Sequence, residues 1–371
     1  MNEIWDVIFE QNQAKEILTK ICNSRRVPHA FLFYGKEGVG KFFTAIQFAK
    51  LLNEQTDSAR SRAVIKKIST LQEPYIKLII PLPRGRGETG EDSATEKLSK
   101  EILEQITTEI RSKIFNPYYK IKVEDANSIK INSIREIKKF VNTSVDEIAY
   151  RFIILLDAHM MNEQAQNALL KNLEEPPEGI IFILITSDKE KMLPTIQSRC
   201  WEIDFEPLSV KSVQNILIKY FLIVSDLAEK ISHFSEGTPL TCLDMINVDF
   251  DKILEKTVSF LRFAIAKRYN SAYSELISFI NEESNGSIKI LTRLIKSWLN
   301  DVVRNKYSIS DYYLGNYIDT FEKFNARFSQ TNIYNIFSML DNLDVNQNKN
   351  LNLNIACLNL IFELASISIR K

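Results

Sequence analysis

Between residues 30 and 205, short and wholly apolar runs alternate with segments of helical periodicity, which predicts βα units around a parallel sheet. Four strands are predicted, at Ala30 to Tyr34, Arg151 to Leu156, Ile180 to Thr186 and Trp201 to Phe205. The second and third carry the runs Phe152-Ile-Ile-Leu-Leu156 and Ile180-Ile-Phe-Ile-Leu-Ile185. Such unbroken runs belong to strands covered on both faces, so these two are placed at the sheet centre. After the first strand, Phe42, Ala45, Ile46, Ala49 and Leu52 recur at three-to-four spacing and mark a helix. Another helix is predicted from about Asn162, with Ala165, Ala168, Leu169 and Leu173 on its apolar face. It stops at Glu174-Glu175-Pro176-Pro177, because a residue preceding proline is pushed out of the helical region.

Residues 81–97 hold three of the ten glycines and two of the ten prolines, which predicts a mobile surface loop. Arg84 and Arg86 give this loop a basic tip, either a DNA contact or simply a solvated connector. The charged stretch that follows, to about Ile114, has helical periodicity and reads as an insertion between strands. Beyond Pro239 there is no proline, and only Gly286 and Gly315 interrupt a Leu-, Ile- and Phe-rich pattern that means helices. The expected organisation is an α/β domain over 1–206, a small helical domain over 207–247 and an all-helical domain over 249–371. The turn Glu236-Gly237-Thr238-Pro239 precedes the last short helix of the second domain, and the Asn-rich segment 342–354 carries an interhelix loop of the third.

A chain of 371 residues exceeds the size served by one core, in keeping with several domains. Lysine plus arginine equal aspartate plus glutamate at 47 each, so any DNA contact is local or shared with partners. Cys22, Cys200, Cys242 and Cys357 are too dispersed for a metal knuckle and suggest no disulfide framework, which points to a reducing cytoplasm. No apolar run approaches the ~20 residues of a membrane span, and neither secretion nor membrane insertion is expected.

The candidate chemistry starts at Gly35-Lys36-Glu37-Gly38-Val39-Gly40-Lys41-Phe42, a phosphate-binding loop of the form G-x-x-x-x-G-K between a strand and a helix. In such a loop, backbone N–H groups cradle the phosphates, the lysine reaches their outer oxygens, and the next residue's hydroxyl holds Mg²⁺. Here that next residue is Phe42, which has no oxygen. The second element, an apolar strand ending in Asp-Glu, reads Leu155-Leu156-Asp157-Ala158-His159. Asp157 is in place to orient a metal, but Ala158 stands where the base would be. His159 is a poor substitute base if side chains continue to alternate past the strand end.

Three strings then give the chain a family likeness. Asn167-Ala-Leu-Leu-Lys-Asn-Leu-Glu-Glu-Pro-Pro177, Leu193-Pro-Thr-Ile-Gln-Ser-Arg-Cys200 and Val27-Pro-His-Ala-Phe-Leu-Phe33 stand in fixed order around the phosphate loop. Over residues 1–247 the chain resembles the AAA+ clamp-loader subunits of bacterial DNA polymerase III, the delta-prime type best; the C-terminal third matches only in length and helical character. The resemblance implies an AAA+ α/β domain, a helical lid and an all-α collar for oligomerisation. It implies a first sensor at Thr186 or Ser187, and a second sensor arginine that is missing from Gly237-Thr238-Pro239-Leu240. It implies that Arg199, within Ser198-Arg199-Cys200, is an arginine finger projected into a neighbour's ATP site. The family's usual zinc module is absent, because residues 52–80 contain no cysteine, so no zinc is expected.

The implied function is a subunit that hydrolyses nothing itself and serves as an accessory of a DNA-directed DNA polymerase. It would help to load the sliding clamp onto primed DNA beside tau/gamma and delta subunits. No cofactor is required, though Gly35, Gly38, Gly40 and Lys41, with Asp157 and Thr186, are a residual seat for ATP or ADP. The alternatives are a tau/gamma-type ATPase of the same assembly and, more remotely, an unrelated P-loop switch or nucleotide-transfer enzyme.

Overall fold

The computed structural model describes residues 2–24, 26–54, 59–142, 148–246, 249–282, 287–310, 312–328, 336–341 and 353–367. The chain divides into two compact units, one of residues 1–228 with 236–240, the other of residues 229–235 with 241–371.

The first unit is built on five parallel strands: β1 (Ala30–Gly35), β2 (Ile76–Ile79), β3 (Arg151–Leu155), β4 (Ile180–Thr186) and β5 (Trp201–Phe205). Their order across the sheet is β2-β3-β4-β1-β5. Every residue of β3 and β4 is buried, as the unbroken apolar runs require of strands sandwiched between helices. In β5 Ile203 and Phe205 are buried while Glu202 and Asp204 face out, the alternation of a strand covered on one side, and Trp201, on the covered face by parity, stays exposed at the strand's start. The sequence reading missed β2. It is four residues long at the far edge, and Lys77 breaks its apolar run; the ammonium leaves the sheet to meet Glu73 at 2.7 Å and Glu136 at 3.4 Å.

The helix Lys41–Asn53 is buried along most of its length beneath this sheet. Phe48 packs edge-on against Phe31 at 5.2 Å and Phe152 at 6.5 Å, locking the helix to β1 and β3. The helix Glu163–Glu174 starts where the Asn162 side chain accepts from Ala165 N at 2.9 Å and ends before Pro176-Pro177. Ala165, Leu169 and Leu173 enter the core, and Lys171 and Glu174 stay exposed.

Residues 81–97, expected to be a mobile loop, are pinned to the segment 130–136. Lys130 and Glu88 form a nearly buried ion pair of 2.7 Å, Asn132 donates to the Thr89 carbonyl at 2.9 Å, and Ala94 N donates to Glu136 at 2.8 Å. Glycine and proline fixed the absence of regular structure here, but polar side chains 40 residues downstream hold the segment in place. The helix Lys100–Phe115 follows, capped by Ser99 and burying only Ile106 fully.

Among its described residues the second unit has helices and no strand, with Phe250–Ile265, Tyr269–Glu282, Ser287–Lys306, Ile318–Phe328 and Leu353–Ser366 the longer helices. Trp298 meets Phe324 edge-on at 5.3 Å, and the fully buried Asp301 accepts from Tyr313 N at 2.9 Å and Leu314 N at 2.7 Å. These two bonds compensate a buried carboxylate that would otherwise be costly. The Asn-rich loop expected over 342–354 lies outside the described residues up to 352.

Candidate functional site

A cavity of about 360 Å³ opens at the carboxyl ends of β1, β3 and β4 and is lined by Glu37, Gly40, Lys41, Asp157 and Ser187 among others. In an open parallel sheet this is where diverging loops leave a crevice. The loop that follows β1 takes left-handed backbone at Gly38 (φ 77°) and Gly40 (φ 102°), and Gly40 starts the helix Lys41–Asn53. Those angles turn successive N–H groups toward one point at a helix N-terminus, the arrangement that receives phosphate. Gly35 is needed for another reason: a Cβ there would stand 2.2 Å from the Phe205 carbonyl oxygen of β5.

Lys41 is 6% exposed and donates to the carbonyls of Gly35 and Lys36. Burial pulls its pKa down to about 8, against the opposing pull of Glu37 and Asp157. Phe42 is also buried, and its ring carries no metal ligand. The nearest hydroxyl of that helical turn, Thr44, is buried and donates to the Gly40 carbonyl at 3.0 Å.

The sequence reading placed Asp157, Ala158 and His159 by extending the alternation of β3. That alternation stops sooner, since β3 ends at Leu155 and Asp157 has φ 52° before a 3₁₀ turn over Ala158–Met160. As a result Ala158 is sealed in the core, whereas Asp157 and His159 both line the cavity. Burial and the neighbouring Glu37 hold the Asp157 carboxyl above its ordinary range, and burial keeps His159 below its own. His159 Nδ1 lies 3.2 Å from Thr186 Oγ1, which also donates to the Asp188 carbonyl at 3.0 Å. Thr186 is fully buried, and of the two sensor candidates it is Ser187 that lines the cavity.

The Glu236–Leu240 segment lies over the phosphate loop. Lys36 Nζ donates to the Glu236 carbonyl at 2.7 Å, Thr238 Oγ1 donates to the Glu37 carbonyl at 2.6 Å, and Leu240 lines the cavity. Leu240 brings hydrocarbon to the place where a second-sensor arginine was sought. The insertion supplies further lining that sequence reasoning missed: Lys113, Tyr118, Tyr119, Lys120 and Lys122 line the same cavity as Lys41. No motif marked these residues, because the chain between β2 and β3 reaches the phosphate loop only through folding.

Arg199 is elsewhere. Phe31 of β1 lies beside Trp201 and Gly35 beside Phe205, so Arg199, two residues before Trp201, sits at the amino-terminal edge of the sheet. Four residues of parallel strand separate that level from the phosphate loop, roughly 13 Å at ~3.3 Å per residue. There Arg199 donates to the Thr195 carbonyl and to Glu174, both at 2.8 Å, with about a third of its side chain exposed. Ser198 is exposed, while Cys200 packs against the core and burial pushes its thiol up to about 12, too high for a reactive thiolate.

A family model described as "DNA polymerase III, delta subunit" matches residues 10–209, which take in the phosphate loop, the Asp157 turn and the Arg199 string. The chain belongs to this family. It is 24% identical to DNA polymerase III subunit gamma of Buchnera aphidicola (subsp. Acyrthosiphon pisum) over 76% of this chain and 69% of that one. It is 26% identical to subunit delta' of Bacillus subtilis over 59% of this chain and 53% of that one, and it spans 30% of the tau subunit of the same organism. Among solved structures, a gamma subunit-related protein from Thermotoga maritima aligns over 95% of this chain and 99% of its own, at 15% identity and a TM-score of 0.43. Relatives of the gamma, tau and delta' kinds all match, so membership of the family leaves the subunit type open.

Among the described residues no group of three or more His, Cys, Asp or Glu side chains could hold a metal ion, and no helix is long and apolar enough to cross a membrane.

Proposed function

We propose that this chain is a clamp-loader subunit of the delta-prime type, which hydrolyses no ATP itself and lends Arg199 to the ATP site of a neighbouring subunit. The observation that carries the proposal is the placement of Arg199 on the sheet edge opposite the phosphate loop of its own chain. A guanidinium there serves no phosphate in cis, and a finger supplied in trans is worth roughly 10³ to 10⁵ in rate. Phe42 in place of a hydroxyl, Ala158 turned into the core and Leu240 on the cavity wall support the absence of hydrolysis in cis.

On this reading residues 1–206 form the AAA+ domain, 207–247 the lid and 249–371 the collar through which the subunit assembles with tau/gamma and delta partners. The assembly loads a sliding clamp onto primed DNA in the cytoplasm. Gly38, Gly40, Lys41 and Asp157 remain as a residual nucleotide seat, with Gly35 packing the loop against β5 and the buried Thr186 meeting His159 rather than the cavity, and no zinc is used.

The test has two arms. Purified alone with Mg²⁺ and ATP, the chain is expected to show negligible turnover; vigorous hydrolysis abolished by Lys41→Ala would establish the tau/gamma-type reading instead. Reconstituted with its partners, Arg199→Ala is expected to lower the ATPase rate of the complex and its clamp loading. Unchanged rates would remove the finger.

A further inference from the structure

We propose that the cavity binds a di- or triphosphate without a divalent metal, with the ammonium of Lys113 standing in for the cation that Phe42 no longer holds. The inference rests on the reading of this loop as a residual nucleotide seat and assigns a residue of the insertion to it.

Lys113 comes from the last turn of the helix Lys100–Phe115, whose C-terminal turn runs into the cavity wall. Its Nζ lies 5.0 Å from the centroid of the Phe42 ring, over the residue that replaced the metal-holding hydroxyl. A cation on that ring is favourably placed and is fixed further by donating to the Tyr119 carbonyl at 2.5 Å. Lys113 is partly buried, and burial lowers its pKa to about 8, as it does for Lys41. Two ammonium groups from separate segments thus face one cavity.

The charge balance favours an anion over a metal. Glu37 is paired with Lys120 at 2.7 Å, which leaves Asp157 alone against Lys41 and Lys113, with Lys122 also on the wall and burial lowering the pKa of His159. A divalent cation entering this net-positive pocket meets repulsion, whereas phosphate oxygens meet two ammonium groups and a helix N-terminus. A second feature points to a ligand. The Tyr118 hydroxyl is buried on the same wall, near the Phe9 backbone but without a hydrogen bond in good geometry, and lies 3.6 Å from where a Cβ on Gly40 would stand. A buried hydroxyl left unpaired beside a phosphate loop is an uncommon feature that asks for an explanation.

The experiment is calorimetric titration of the full chain with ADP and, separately, with inorganic pyrophosphate, each in EDTA and in Mg²⁺. At least one of the two is expected to bind in EDTA no more than threefold more weakly than in Mg²⁺. Binding of pyrophosphate alone makes the ligand a free polyphosphate, and binding of ADP makes it a nucleotide; either supports the proposal. Lys113→Met is expected to weaken the EDTA affinity at least tenfold and Lys113→Arg to retain most of it, with thermal melts showing that both fold. At pH 8.5, binding to the wild type is expected to take up protons, because phosphate raises the pKa of both lysines, and Lys113→Met is expected to reduce that uptake. Binding that requires Mg²⁺ would overturn the role of Lys113 and leave the nucleotide seat standing. EDTA affinity unchanged in Lys113→Met would do the same, and no binding of either ligand in either buffer would remove the seat as well.

Discussion

The pinning of residues 81–97 gives a quantitative expectation for Glu88→Ala. The side chains of Glu88 and Lys130 are 5% and 10% exposed, and one Glu88 oxygen accepts from Lys130 at 2.7 Å and Gly85 N at 2.8 Å, while Asn132 reaches the other at 3.3 Å. Removing the carboxylate leaves Lys130 enclosed with only the Ala94 carbonyl, 2.6 Å away, and withdraws an acceptor from two further donors. Breaking a buried pair by deleting one member costs about 3–5 kcal/mol, most of it the uncompensated charge. Because the ties of this segment are local, that cost is expected as easier local opening rather than as loss of the whole fold. At 1.4 kcal/mol per factor of ten, the open population rises by roughly two to three and a half decades. Arg84 and Arg86 are exposed within the segment, so trypsin under native conditions reports the opening directly. Cleavage there is expected to accelerate at least a hundredfold, up to the rate of an unstructured peptide, while the urea midpoint of the chain moves much less. Cleavage within threefold of the wild type would refute the argument, and so would acceleration spread equally over sites remote from the segment.

Three further outcomes follow from other contacts. Gly38→Ala forces a Cβ into left-handed backbone, 2.5 Å from Thr238 Oγ1 and 2.7 Å from Leu240 Cγ, and is expected to cost about 2–3 kcal/mol in urea denaturation. Arg151→Met leaves the carbonyls of Pro74 and Phe140 without their buried guanidinium donor and is expected to destabilise by about 2–4 kcal/mol in the same assay. For Glu10, burial raises the pKa but hydrogen bonds from Ser209 and Ser212 outweigh it, so the folded value lies below 4.5. Its stabilisation is complete above pH 4.5 and fades as pH falls through the folded value. The urea-midpoint gap between wild type and Glu10→Gln is therefore expected to be wide at pH 7 and to close near pH 2; a gap independent of pH would contradict this.

Residue order alone determined the central strands, because a run such as Phe152-Ile-Ile-Leu has no polar side to offer water and must be covered on both faces. It also determined the phosphate loop, since glycines at fixed offsets before a lysine and an apolar helix encode backbone geometry locally. The helix ending at Pro176-Pro177 was legible for the same reason, as proline acts on its immediate neighbour. What the tertiary structure decided are relations between distant segments. Asp157 and His159 share a cavity because one left-handed residue ends the alternation of β3, a turn that the strand pattern does not announce. Lys113 and Tyr118 line the same cavity as Lys41 because the insertion returns to the mouth of the sheet, bringing together residues more than 70 positions apart. Arg199 is distant from its own phosphate loop because parallel pairing of β1 with β5 fixes the two at opposite ends of the strands. Local sterics can be written into a few consecutive residues, but the side on which a cation finally stands is set by how the strands pair.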